Sequence, residues 1–284
     1  MTANLRGALW MLGAVASFCA MAIAARELLK FMGTFEILFF RTGIAFFIVL
    51  AFAAREGFGQ LRTRRIGTHL WRNLFHFGGQ ASWVWSIGML PLATVFAIEF
   101  TMPVWAAVFA ALFLGERLSA GRIVMLVLGL LGVLIILRPG IEALQPAALV
   151  MLAGAWAFGV QMIGTKQLSA TDSPLCVLFW MSIIQTPFSL ALAAPVWAWP
   201  HAALWPWVVL VGIGSFTAHY CLTSAFRNGD VTIIVPIDFV RLPAIAVIGA
   251  LFYAEPFDPW ILLGAAVIFA GVYFGLFGNL SRKR

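Results

Sequence analysis

"FLGERL" (113–118) and "FYAEPF" (252–257) each close a long apolar run on a glutamate, and their correspondence decides the fold. A shift of 139 residues lays Glu116 on Glu255, Glu99 on Asp238 and Gly132 on Gly271. Shifts of 140 and 141 pair "LFF" (38–40) with "LFW" (178–180) and "GAVA" (13–16) with "GAWA" (154–157). A common order at a nearly constant offset marks an internal repeat, with one unit in 1–140 and a second in 141–284.

Both units are built from membrane-spanning material. Of 284 residues 63% are hydrophobic and only 10% charged, too few polar side chains to cover a water-soluble domain of this size. A membrane helix needs about 20 apolar residues. That ruler yields ten runs, near 7–25, 35–54, 71–90, 93–114, 121–138, 147–165, 175–195, 205–226, 231–253 and 260–278. Backbone groups in lipid must be satisfied within the segment, so each run is read as a helix, and the chain as an all-α membrane protein. The first run could be mistaken for a signal peptide, but its internal repetition argues for a retained span. Five spans per unit is an odd number, so the second unit must enter the bilayer from the opposite side. The expected fold is therefore ten transmembrane helices in two inverted five-helix repeats, an arrangement common in secondary transporters.

With the N-terminus placed in the cytoplasm, thirteen Lys and Arg residues fall on the inner side and three, Arg26, Lys30 and Arg138, on the outer. The positive-inside rule then predicts two cytoplasmic termini. The net charge of +7 does not indicate nucleic acid, because the basic residues lie between apolar runs rather than on one face. Cys19, Cys176 and Cys221 all fall inside apolar segments, and their spacing fits neither a disulfide framework nor a metal site. No cofactor motif is present.

Four charges lie well inside spans: Arg41, Glu99, Asp238 and Arg241. At helical rise Arg41 and Glu99 share a level in the outer half, whereas Asp238 and Arg241 share a helix face in the inner half. The sequence thus predicts an Arg41–Glu99 site and an Asp238–Arg241 site. Such groups either fix helix register as buried ion pairs or line a wet cavity that recognises a zwitterion or carries a proton. Pro103, Pro236 and Pro243 lie in the same two helices, where they bend the helix or free carbonyls. In the third span His76, Gln80 and Trp83 fall on one face; His219 and Tyr220 occupy the eighth, and Trp156 and Trp180 the sixth and seventh. Together they predict a cavity with aromatic walls, suited to aromatic or other apolar amino acids and flat organic cations. Packing against lipid or core is the alternative for each Trp. The fifth and tenth spans carry "GLLG" (129–132) and "GVYFG" (271–275), small residues that permit close helix packing.

These features resemble the bacterial drug/metabolite transporter superfamily of EamA type, across roughly residues 7–278. Within it the chain looks most like inner-membrane exporters of aromatic amino acids and methyl viologen. The resemblance implies alternating access around a central cavity lined by helices other than the fifth and tenth. It maps the repeat glutamate onto Glu116 and Glu255, whose depth points to capping or gating. The second unit departs from the first at Met181, opposite Arg41. The expected function is export of small metabolites, most of all amino acids, across a bacterial inner membrane. The competing readings are an intramembrane enzyme, for which Ser215 and His219 form the sole candidate dyad, and a non-transporting membrane subunit. The sequence has no phosphate-binding loop, and the partners expected are a small-molecule substrate and lipid.

Overall fold

A computed structural model describes residues 3–114, 120–138, 145–228, 234 and 237–277. Among them the chain forms α-helices and short 3₁₀ turns and no strand. The helices are α1 (Ala3–Leu28), α2 (Thr34–Glu56), α3 (Ile66–Met89), α4 (Leu92–Glu99), α5 (Met102–Leu114) and α6 (Ala120–Leu137) in the first half. The second half holds α7 (Pro146–Ser169), α8 (Pro174–Ala193), α9 (Trp205–Asn228), α10 (Arg241–Tyr253) and α11 (Pro259–Phe277). Local signals set several starts. Pro146 and Pro174 open α7 and α8, where a missing N–H costs nothing. Ser173 caps α8 by accepting from the Cys176 N–H at 3.0 Å.

Six stretches are long and apolar enough to cross a membrane: Leu5–Leu28, Thr34–Glu56, Leu92–Phe109, Pro146–Ser169, Pro174–Val196 and Ala202–Asn228. Ile123–Leu137, Arg241–Tyr253 and Pro259–Phe274 are shorter apolar helices. α3 is more polar because Arg72, Asn73, His76 and Gln80 occupy its buried face. Phe47, Leu112, Leu130, Leu251 and Phe252 point outward and are exposed, as side chains facing acyl chains would be.

The run expected as one fourth span is broken. α4 ends at Glu99 and α5 starts at Met102. Pro103 has no N–H to offer the Glu99 carbonyl, so the α-helical ladder cannot continue through this turn. Thr101 closes the break instead, its backbone N–H and its hydroxyl both donating to the Ile98 carbonyl at 3.0 and 2.7 Å. In the second half α10 starts at Arg241, with Pro243 in its first turn, where proline is tolerated. Pro236 and Glu116 lie outside the described residues.

The two halves are knitted by helix pairs that each take one member from either half: α1 with α9, α3 with α7, α2 with α8, and α6 with α11. The last pair meets along a glycine seam. A Cβ on Gly132 would stand 2.6 Å from the Gly264 carbonyl oxygen and 2.5 Å from Ile268, and one on Gly264 would stand 2.7 Å from the Gly132 oxygen. The obstruction is backbone, which no rotamer change relieves. Gly132→Ala is expected to force the two helices apart and cost about 1–3 kcal/mol, read as a lower unfolding temperature of the purified protein. An unchanged midpoint would show that the seam is not close-packed.

Candidate functional site

The broken helices bring charge to the centre. Glu99 is the last residue of α4, and Arg241 is the first of α10. An anion at a helix C-terminus and a cation at an N-terminus both oppose the helix dipole, so each needs a partner to be tolerated there. They find one another. Arg241 Nη1 donates to Glu99 Oε1 at 3.2 Å, and its Nη2 reaches Asp238 Oδ2 at 3.4 Å. Trp83 Nε1 from α3 donates to the other Glu99 oxygen at 2.7 Å. The guanidinium sits over Phe18, Phe100 and Phe96, at 4.5, 4.8 and 5.3 Å from the ring centroids. Phe100 in turn stacks on Phe239 with centroids 4.3 Å apart. Glu99 and Arg241 are 9% and 3% exposed, so the ion pair is buried, while the Asp238 side chain is 22% exposed.

This corrects the expected pairing. Glu99 belongs with Arg241 and Asp238 rather than with Arg41. Depth along a helix is legible in a sequence, but which neighbour a side chain faces depends on helix rotation and on the break after Glu99.

Arg41 lies elsewhere, fully buried on α2. Its Nη1 donates to Ser215 Oγ at 3.1 Å and its Nη2 to Gln185 Oε1 at 3.5 Å. Gln185 Nε2 continues to Asn73 Oδ1 and His76 Nδ1, both at 2.9 Å. Asn73 Oδ1 also accepts from Arg72 Nη1 at 3.0 Å. The His219 ring stands edge-on to His76 at 5.4 Å and to Phe18 at 5.7 Å, so it joins this network to the Arg241 cluster. Gln80, on the same buried face of α3, receives no hydrogen bond at Oε1. Arg72, Asn73 and Gln185 escaped the sequence reading. Arg72 stands four residues before His76, a spacing that places it on the helix face of His76, Gln80 and Trp83.

Ser215 engages Arg41, and the hydrogen bonds described for it do not include His219, so the candidate dyad of the competing enzyme reading is not assembled. Three aromatic residues expected in the cavity are placed away from the centre. Trp156 is 39% exposed and wedged between Phe75 and Phe109. Tyr220 packs on Trp10, Phe52 and Phe216. Trp180 donates to the Leu61 carbonyl at 3.1 Å and lines an open depression of about 700 Å³ with Leu61, Arg62, Thr63, Arg64 and Phe179. Large aromatics are bulky enough to face any apolar environment, so residue type alone could not separate core from rim.

Two polar ties flank the centre. Glu255 accepts from the Leu92 N–H at 2.8 Å and pairs with Arg26, which also donates to the Leu90 carbonyl at 2.8 Å. Glu255 thus caps the start of α4. Burial pushes its carboxyl above the usual range, against the opposing pull of the Leu92 N–H and Arg26. At the other end Asp172 accepts from Thr63 Oγ1 at 2.6 Å and meets His69 Nε2 at 2.8 Å. Burial raises the Asp172 carboxyl, but the hydrogen bonds from Thr63, His69 and Thr171 outweigh it and hold the group below its ordinary value. The ligand atoms of His69, Asp172 and Cys176 lie within 4.8 Å of one another. Cysteine spacing could not have revealed this group, because His69 comes from α3 whereas Asp172 and Cys176 lie together at the start of α8. The hydrogen bonds to Asp172 make it a tie between α3 and the turn before α8.

The model of the EamA-like transporter family matches the chain twice, over residues 5–138 and again over 145–277. The chain belongs to the EamA-like transporter family. This transporter is 30% identical to a riboflavin transporter of Rhizobium johnstonii, the match covering 98% of this chain and 93% of that one. It is 27% identical to an S-adenosylmethionine uptake transporter of Rickettsia felis, over 98% and 96% of the two chains. A pseudopaline exporter of Pseudomonas aeruginosa matches at 26% identity over 89% of each. A solved crystal structure superposes over 99% of both chains with a TM-score of 0.70 at 17% identity, a likeness of fold alone. The relatives are transporters rather than enzymes, and the chain is a multi-pass membrane transporter. None of these three is named as an amino-acid exporter, so the expected amino-acid export gains no support from them, and they include both uptake and export.

Proposed function

We propose that this protein is a secondary transporter that carries a small polar metabolite with a flat ring past the Glu99–Arg241–Asp238 cluster. Transport proceeds by alternating access of two inverted halves, 1–140 and 141–284. The observation that carries the reading is a buried ion pair whose two members sit at opposed half-helix ends, one from each half. A rocking motion that separates the halves must remake this contact, which couples the site to the conformational change. The helix pairing supports a two-fold relation between the halves, and the odd number of spans expected in each makes it an inverted one. Exchanging the halves turns the α1–α9 pair into α7–α3, and turns α2–α8 and α6–α11 into themselves. The double match to one family model supports it too.

Phe18, Phe96, Phe100 and Trp83 offer ring faces beside fixed charges, which suits stacking of a planar substrate. Riboflavin and S-adenosylmethionine, named for the relatives, both carry flat heteroaromatic systems, and aromatic amino acids share the feature. Both termini are assigned to the cytoplasmic side of a bacterial inner membrane, from the distribution of Lys and Arg. The sequence has no phosphate-binding loop, so a solute or ion gradient drives the flux.

Purified protein in liposomes, loaded in turn with labelled phenylalanine, riboflavin and S-adenosylmethionine, tests the reading. Saturable flux of at least one, above that of protein-free liposomes, is the expected result, and repeating it across a pH gradient decides ion coupling. No saturable flux with any of the three would overturn the assigned substrate class.

A further inference from the structure

Among the described residues, the network around Arg41 holds buried positive charge with no carboxylate hydrogen-bonded to it. Arg41 is 0% exposed and Arg72 is 4% exposed. Among the described residues their hydrogen-bond partners are Ser215, Gln185, Thr165 and Asn73, all neutral. By contrast Arg241, equally buried, has two carboxylates. A cation taken out of water without a counter-charge costs several kcal/mol, so such an arrangement persists where something else supplies the anion.

The hydrogen bonds fix which atoms are left waiting. The His69 carbonyl can only accept, and Asn73 turns its NH₂ to it at 2.8 Å. The Asn73 oxygen therefore faces Arg72 and Gln185. Gln185 offers its NH₂ to Asn73 and to His76 Nδ1, which leaves its oxygen for Arg41. His76 accepts at Nδ1, so in the neutral ring its proton sits on Nε2. Both that Nε2 and Arg41 Nε are buried and have no acceptor. Two orphan donors beside uncompensated positive charge describe a receptor for an oxyanion.

We propose that Arg41 and His76, supported by Arg72 and Gln185, form a subsite for a carboxylate or phosphate of the transported molecule. The assignment rests on the transport reading above and narrows its substrate to an anion-bearing metabolite. His76 and Trp83 are seven residues apart on one face of α3, about 10 Å at helical rise. The His219 ring touches both His76 and Phe18, on which the Arg241 guanidinium rests. One molecule can therefore set its ring among the aromatics near Arg241 and its oxyanion at Arg41.

The test compares small aromatic probes that differ only in charge, on the purified full-length protein, by thermal unfolding at graded ligand concentration. Benzoate or phenyl phosphate is expected to bind at least roughly tenfold more tightly than benzamide, a difference of about 1.4 kcal/mol. In Arg41→Gln the preference should fall to within about twofold, and Arg41→Lys should keep part of it. Arg41→Gln strands no carboxylate, so it should fold, with a midpoint in the absence of probe at or above that of the wild type. Whichever anion binds more tightly names the oxyanion. Wild-type protein that does not prefer either anion to benzamide, or an Arg41→Gln preference equal to the wild type's, overturns the subsite. The liposome assay separates the two readings. Saturable flux without an anion preference leaves transport standing and removes the oxyanion site, whereas an anion preference without flux of any of the three keeps the oxyanion site and overturns the assigned substrate class.

Discussion

Arg241→Met is expected to destabilise the protein more than any other single substitution in the centre. It leaves Glu99, 9% exposed, and Asp238 facing one another without the cation that separates them. Removing one member of a buried ion pair costs about 3–5 kcal/mol, because the remaining charge is stranded in a poor solvent. Here two carboxylates lose one shared partner, and Phe18, Phe96 and Phe100 lose the guanidinium that fills the space between them. Methionine has a similar length and would fill that space, so the loss would report charge rather than volume. The check is the unfolding midpoint of the purified variant beside that of the Arg241→Met, Glu99→Gln double variant. Neutralising Glu99 should recover a measurable part of the loss, since the two residues are in contact and their effects cannot be additive. Equal stability of wild type and Arg241→Met would mean that the pair contributes nothing to the fold.

Glu99→Gln is expected to leave the protein folded and remove most of its transport. The amide keeps an oxygen for the Trp83 N–H, which now sits 2.7 Å from Glu99 Oε2, and Arg241 retains Asp238. What disappears is the strong charge-assisted bond between the two halves. Breaking a buried hydrogen-bonded charge pair costs about 2–5 kcal/mol, so any step that depends on it should slow by roughly thirtyfold or more. Initial rates in proteoliposomes measure this, with monodisperse elution and a cooperative unfolding transition as the control for folding. Wild-type flux in Glu99→Gln would make the pair a structural register device and remove it from the site.

The centre shows how far hydropathy carries an interpretation and where it stops. The face of α3 was legible, since the spacing of His76, Gln80 and Trp83 follows from helical period alone, and the structure buries all three. That Asp238 and Arg241, three residues apart, would meet was legible as well. The partner of Glu99 was not, because Arg41 and Glu99 share a depth but not a neighbour. Cavity and packing could not be told apart for Trp156 and Trp180 for a related reason, as an indole satisfies an apolar rim and an apolar core equally well. Gln185 and Asn73 gave no signal of their own; each matters only through the groups it connects.

The sequence by itself determined the all-helical membrane class, the main apolar runs and the family. Each of these follows from local hydrophobicity and spacing, properties that a chain carries in one dimension. Only the tertiary structure decided that Arg241 reaches across to Glu99, that Arg41 is left without an acid, and that the fourth span breaks to present a carboxylate at its end. Those outcomes depend on how helices distant in the chain rotate against one another, and that rotation is set by packing and by the cost of leaving any buried charge or donor alone.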